Sequence, residues 1–490
     1  MVVNGRGAQL RRSTELDRDG CRVLVSNDFG DFAVLDRSTH MRLLDGSLTS
    51  SDARFRDLEA RSLLDDHGPD SWSDIEHAAY ATRKSFLLEG PSLHIFVVTL
   101  RCDHSCQYCQ VSRAAVDAMG FDMSAEDAVH AVERVFESPS QDLTLEFQGG
   151  EPALRFNRVR QIVELATERN ATENRRLTFS MVSTLHHLTD DDLAFCRDHQ
   201  IRVSTSIDGP ADLHDRNRPN PTRDAWARTM DGLQRARSYL GHEGVSALPT
   251  LTRAALADPI LLIDHYRELG FASIFLRPIS PYGFALKTRR AIGYDMAEFI
   301  AFYETALDYI LELNARGEGF EETYASILLR HILTPFHSGY VDLRSPAGAG
   351  LGVMVYDFDG QVYPADEARM AARTGDRRFA LGHVSASFED LMTSPAMRWL
   401  ATGSVAETLP GCSTCAFVPF CGADPVYHAS VQGDPIGDRA TSEHCAKHTA
   451  LFSLLFNRLA DANAETLATF TSWALRKPRH EVLQPGWVDR

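Results

Sequence analysis

No stretch of this 490-residue chain strings together enough apolar residues to span a bilayer; its apolar runs stop well short of the roughly 18 such a helix needs. The opening residues, MVVNGRGAQLRRSTELDRDG, hold no apolar core of signal-peptide length and are broken by charges. The expectation is a cytoplasmic protein with no membrane partner. Positive charge is also short. Fifty Lys and Arg against 67 Asp and Glu leave a formal charge of −17, which argues against nucleic acid, whose binders carry a basic excess. The basic run KTRR (Lys287 to Arg290) reads as a solvated loop. Internal repeats and low-complexity tracts are missing too.

What remains is an ordinary globular composition, 44% apolar and 9% aromatic, long enough for two or three domains. The nine cysteines do not read as a disulfide framework, because the cytosol keeps thiols reduced. Most of them are clustered, and clustered cytosolic cysteines more often bind metal. Cys21 and Cys196 stand apart and are expected to be buried structural thiols.

The segments fall into an order. Residues 1–90 carry short strands (CRVLVSND, DFAVLD) and a capped helix (SSDARFRDLEARSLLDD), a small α+β module. From SLHIFVVTL (Ser92–Leu100) to about residue 290, strand-like and helix-like segments alternate, ending with ASIFLRPI and the stretch after it. That alternation predicts parallel strands with crossover helices, as an open sheet or a barrel. Chemistry in such folds sits at the C-terminal ends of the strands. Residues 291–343 read as a helical connector. Residues 344–450 hold short strands, turns and a second cysteine cluster, and 451–490 form a helical tail.

Three thiols crowd the loop after the first of these strands. In RCDHSCQYCQ, Cys102, Cys106 and Cys109 are spaced C-x3-C-x2-C. Two thiols would make a redox pair and four would close a zinc site. Three on one tight loop hold three irons of a [4Fe–4S] cube and leave the fourth iron open. A zinc knuckle with a distant fourth ligand is the alternative. Forty residues on, Gly149, Gly150, Glu151 and Pro152 close the next strand, where exposed backbone suits an ammonium group.

The two motifs together resemble the radical SAM superfamily over residues 92–280. The resemblance implies a partial (β/α)6 barrel in which a [4Fe–4S] cluster, fed by an external electron donor, cleaves S-adenosylmethionine (SAM) to a 5′-deoxyadenosyl radical that abstracts hydrogen. Tyr108 would line the adenine pocket, and the GGEP turn would receive the SAM ammonium. STSIDGPADLHDRNR is similar to a stretch of the maturases that act on peptides. By that likeness Ser206 and Arg218 would hold the ribose or carboxylate of SAM, while His214 and Asp215 serve there or cap the next helix. Where such maturases often have Thr-Asn-Gly, this chain has Ser183 and Thr184.

The second cluster, Cys412, Cys415 and Cys421 with Cys445 after it, resembles a SPASM domain with gaps. Ala365 and Pro425 stand where that family usually has cysteine, and none lies between Val341 and Pro364. The resemblance implies that the inner auxiliary cluster is lost and that one auxiliary [4Fe–4S] cluster remains on the four thiols. Zinc suits the same donor set. Asp366, beside the vacated Ala365, matches an acidic residue that serves as base in sulfatase-maturing relatives; an ordinary turn carboxylate is the alternative. The whole pattern most resembles the maturase of the His-Xaa-Ser system. It implies a precursor peptide rich in His-Xaa-Ser, a second radical SAM protein and cross-link formation. Formylglycine-type oxidation and a non-catalytic peptide-binding role are the competing expectations.

Overall fold

The computed structural model describes residues 9–10, 12–17, 19–65 and 72–482. At the N-terminus, β1 (Gln9–Leu10) pairs with β5 (Leu64–Asp65), bracketing an antiparallel sheet of β2 (Arg12–Glu15), β3 (Arg22–Ser26) and β4 (Phe32–Asp36). Side chains alternate across a strand, and β3 uses both faces. Val23 and Val25 join Leu35, Leu43 and Leu58 in a local core, whereas Leu24 points into the main core. The outward carbonyls of Phe32 and Val34 on β4 already accept from Arg61 (3.3 Å) and Arg54 (2.9 Å).

The main sheet has eight strands in the order β10-β9-β8-β7-β6-β13-β14-β15. Its parallel part comprises β6 (Leu93–Thr99), β7 (Asp142–Gly149), β8 (Arg176–Val182), β9 (Arg202–Ser206) and β10 (Val245–Leu248). Helices Ala125–Glu137, Phe156–Glu173, Asp190–Asp198 and Ala225–Leu240 lie between successive strands. Ser124 caps the first of these helices by accepting from Asp127 N, as its position after FDM predicts. β6 is central, and its apolar run follows from that. Phe96 and Val98 face one core, Ile95 and Val97 the other, all 5% exposed or less. The α/β fold with parallel strands expected from the alternation is present.

One strand stops early. Of ASIFLRPI only β11 (Ser273–Ile274) forms a ladder, with β12 (Glu321–Glu322) and outside the main sheet. The reason is local: the Glu322 carboxylate accepts from Leu276 N (3.0 Å), taking the place of a neighbouring strand, and Pro278 has no N–H to offer. On the other side of β6 the sheet instead gains β13 (Val353–Tyr356), which is parallel to it, then β14 (Gln361–Tyr363) and β15 (Gly382–His383), each antiparallel to the strand before it.

Helices Met296–Ala315, Thr323–Leu333, Glu443–Ala460 and Ala464–Leu475 pack on one another. Their contacts include Tyr324 Oη to His448 Nε2 at 3.1 Å. Among the described residues no helix is long and apolar enough to cross a membrane. Cys196 is fully buried, but Cys21 is exposed, contrary to expectation. It follows the turn at Gly20 and precedes β3, so its side chain falls outside the local core.

Candidate metal centre

The C-terminal ends of β6 and β7 build the first site. A bulge between Val97 and Thr99 ends the regular β6–β7 pairing, and Gly149 stands opposite Thr99 with φ +138°. Beyond it, Gly150 N donates to Thr99 O and Glu151 N to Arg101 O, each at 2.8 Å. An ammonium only donates hydrogen bonds, so contact from this turn to one falls to carbonyl oxygens. The glycines are there for close approach: a Cβ on Gly150 would lie 2.3 Å from Arg101 O, and one on Gly149 would lie 2.0 Å from Thr99 O.

The cysteine loop is held on three sides by backbone hydrogen bonds. Cys102 N donates to Ala114 O (3.1 Å), Ser105 N to Pro219 O (2.7 Å), Gln107 N to Asn217 O (3.1 Å) and Phe284 N to Cys109 O (2.8 Å). His104 N points at Cys102 Sγ, 3.4 Å away, the kind of N–H···S contact that tunes thiolate-bound iron. Cys102 is buried, and Cys106 and Cys109 are partly so. Burial, helped by nearby Glu151, raises the Cys102 thiol well above its usual range. Burial pushes Cys106 to about 11 against the opposing pull of Arg218.

Around this loop the expected residues take definite places. Tyr108 is buried with its hydroxyl locked: it accepts from Arg218 NH1 (2.7 Å) and donates to Asp208 Oδ1 (3.0 Å). Glu151, fully buried, accepts from Ser183 Oγ (2.7 Å), Thr184 N (2.6 Å) and Ala153 N (3.0 Å). Ser183 and Thr184 thereby tie the end of β8 to that of β7. Pro152 is buried at the start of the short helix Pro152–Arg155, and Ser206 ends β9. Asp215 caps the next helix, accepting from Trp226 N at 2.7 Å. His214 instead turns inward, its Nδ1 accepting from Asp208 N at 3.4 Å.

A cluster the spacing did not reveal sits beside the loop. Asp103 faces His104 Nδ1 (2.9 Å), His187 Nε2 (2.9 Å) and His186 Nδ1 (3.5 Å). Burial acts to raise the Asp103 carboxyl, but the hydrogen bond with His104 and the closeness of His186 and His187 outweigh it and hold it well below the carboxylate range. The adjacent pair His186-His187 at a strand end was the available signal.

The second thiol set converges from two segments. Cys412, Cys415 and Cys421 lie on one turn-rich loop, and Cys445 opens the helix Glu443–Ala460 with Ser442 as its cap. Burial raises the Cys421 thiol, and Cys415, Cys412 and Cys445 raise it further, so all four share one locale. Among the described residues no three thiols, in either set, have sulfurs within 4.8 Å of one another. Four thiolates suit either a tetrahedral zinc or an iron–sulfur cluster. The N-terminal sheet packs on this loop through Arg12 Nε to Ser413 O (3.0 Å), Ala416 N to Thr14 Oγ1 (3.0 Å) and Ser26 Oγ to Ala416 O (2.7 Å).

Asp366 begins the helix Asp366–Arg373, and its Oδ1 accepts from Arg369 Nε at 2.7 Å. Arg369 is fully buried, with both terminal nitrogens lacking a partner.

Comparison with known proteins agrees with this geometry. Residues 96–251 match the family model described as the Radical SAM superfamily. An uncharacterized protein of Methanothermobacter thermautotrophicus is 27% identical over 192 residues, 39% of this chain and 69% of that one. The cysteine-type anaerobic sulfatase-maturating enzyme of Clostridium perfringens is 23% identical over 290 residues, 56% of this chain and 74% of its own. Among solved structures, native anSMEcpe with bound AdoMet superposes with a TM-score of 0.62 at 18% identity, covering 75% of this chain and 98% of that one. Streptococcus suis SuiB bound to precursor peptide SuiA gives 0.52 at 13% identity, covering 90% of this chain and 100% of that one. The two structural likenesses establish a shared fold. The chain carries a radical SAM domain, formed by residues 96–251 of its α/β sheet.

Proposed function

We propose that this protein is a radical SAM enzyme that modifies a ribosomally made peptide, with cross-link formation as its reaction. The observation that carries the reading is the loop of Cys102, Cys106 and Cys109. It is tied by backbone hydrogen bonds to the 217–219 and 283–284 segments and lies beside the Gly149–Glu151 turn. The donor set suits a [4Fe–4S] cluster with one open iron. When bound, cluster and SAM supply a radical able to abstract hydrogen from an unactivated carbon.

The chain's own residues do the rest. Cys102, Cys106 and Cys109 hold the cluster. The Gly149–Gly150 carbonyls take the SAM ammonium, and Ser206 and Arg218 its other polar groups. Tyr108 is kept rigid by Asp208 and Arg218. Cys412, Cys415, Cys421 and Cys445 are assigned to one auxiliary cluster. A cross-link also releases a proton from the peptide, and Asp366, oriented by buried Arg369, is assigned to accept it. The peptide is expected to be rich in His-Xaa-Ser, with a second radical SAM maturase as partner.

The test is anaerobic turnover with reconstituted protein, SAM, a reductant and the candidate peptide. The expected result is 5′-deoxyadenosine together with loss of a pair of hydrogens from the peptide, both abolished in Cys106→Ala. If wild-type protein makes no 5′-deoxyadenosine under any of these conditions, the proposal fails. A peptide carbonyl trapped by a hydrazide would instead support formylglycine-type oxidation, a reading favoured by the placement of Asp366.

A further inference from the structure

Close to the vacated positions Ala365 and Pro425 of the second domain, the chain carries acids. Asp342, Glu367 and Asp424 come from three segments that the fold forces together. The backbone at Gly422 abuts the 342–344 segment so closely that a Cβ there would lie 2.3 Å from Asp342 O. Ala365, Ala368 and Ala372 pack against Val426 and Ala429 in one core, bringing Glu367 beside Asp424. All three carboxylates keep partial solvent contact; Asp424 retains 19%. Yet burial raises Glu367 to about 8 and Asp424 to about 7, each with help from Asp342. Partly exposed yet strongly affected by burial, the three line one recess, a chamber open to solvent. It lies between the two thiol sites, since Arg369 feels both Asp366 and Cys109, while Tyr324 feels both Asp342 and Cys421.

The charge in this chamber does not balance. Asp366 is paired with Arg369. Glu146, Asp342, Glu367 and Asp424 then face three cations, Arg277, Lys447 and Arg439, whose fields reach them. Burial and their neighbours incline Glu367 and Asp424 to hold a proton, and a cation placed among them would take that proton's place. Two further groups are left unsatisfied. Tyr282, 4% exposed, has a hydroxyl without a partner and is turned toward Asp424, Glu367 and Asp342. His444, 7% exposed, has an unpartnered Nε2, and its Nδ1 lies 3.8 Å from Asp424 Oδ2. A metal ion does not fit, because among the described residues these carboxylates do not bring three ligand atoms within 4.8 Å. An extended organic cation spans such a gap.

Resting on the peptide-modifying reading above, we infer that this chamber receives a cationic side chain of the substrate, lysine or arginine, between Asp342, Glu367 and Asp424. The chamber thus selects for charge where the inner auxiliary cluster of related folds is absent.

The test is equilibrium binding, independent of turnover. Reconstituted full-length protein is titrated calorimetrically with the capped tripeptides Ac-Ala-X-Ala-NH2, where X is lysine, arginine, norleucine or glutamate. The lysine or arginine peptide is expected to bind about 10–100-fold more tightly than the norleucine peptide, the range for hydrogen bonds to charged groups. Glu367→Gln and Asp424→Asn should each erode that preference and together erase it, with iron content and melting temperature retained. Lys447→Met should sharpen it, which guards against a fold defect in the acid variants. Equal binding of all four peptides to the wild type, or a preference untouched by both acid substitutions, overturns the inference. SAM cleavage measured in parallel separates the two failures. Cleavage without charge preference sinks the chamber alone, whereas charge preference without any cleavage sinks the enzymatic reading and leaves the binding site standing.

Discussion

Gly150→Ala is the sharpest small change the structure offers. The new methyl would meet Arg101 O at 2.3 Å and Leu100 O at 2.4 Å, whereas a relaxed C···O contact is about 3.3 Å or longer. Both obstacles are backbone, so no side chain can swing away; the strand ends must part by about 1 Å. That stretches the two 2.8 Å bonds from Gly150 N and Glu151 N to roughly 3.8 Å, beyond hydrogen bonding. Losing two such bonds in a buried setting costs about 2–4 kcal/mol. The displaced carbonyls belong to the residues just before Cys102, so the damage reaches the metal site. We expect a melting temperature lower by several degrees and loss of iron from the first site, with the second site still loaded. Differential scanning fluorimetry and iron analysis of the anaerobically reconstituted protein measure both. Gly319→Ala, whose Cβ meets nothing within 4 Å, is the neutral control. If Gly150→Ala melts with the wild type and keeps its full iron, the close-approach argument for this turn is wrong.

Other perturbations test other parts. Arg218→Met leaves Asp208 buried without its cation and Tyr108 without a donor, and should destabilise by about 3–5 kcal/mol, read by chemical denaturation; a cost under half of that would show the network to be dispensable. Tyr108→Phe should cost only about 1–2 kcal/mol in the same assay. Glu322 is buried, and burial raises its folded-state carboxyl to about 7 despite four donors. With an unfolded value near 4.3, it favours the fold fully below about pH 4.3, and roughly 3–4 kcal/mol is lost as pH rises toward 7. Glu322→Gln should flatten that portion of the stability–pH curve; an unchanged slope assigns it to other groups. Cys445→Ala should lower the iron content of the second site while leaving SAM cleavage measurable; zinc recovered from that site in stoichiometric amount would replace the cluster assignment.

Much of the site was legible because its signals are short in sequence. The C-x3-C-x2-C loop, the GGEP turn and the spacing between strand ends are local patterns, and a tight loop leaves three thiols little choice of where to go. The cap at Ser124 was equally readable, since a cap is satisfied within three residues. What escaped were meetings between distant segments. His186 and His187 are more than 80 positions from Asp103, and nothing in either segment names the other. The truncated strand at Ser273–Ile274 escaped for a related reason: its apolar pattern is sound, but a carboxylate from Glu322 claims the N–H a neighbour would have used.

By itself, then, the sequence determined the alternating α/β frame, the two thiol sets and their separation, because strand and helix periods and ligand spacing are properties of neighbours along the chain. Only the tertiary structure decided that the N-terminal sheet rests on the second thiol loop, that Tyr108 is clamped by Arg218 and Asp208, and that Asp342, Glu367 and Asp424 share one chamber. Each is an encounter of side chains from different elements, and its chemistry comes from burial. Removing water from charges that the chain keeps far apart makes their proximity costly and selective.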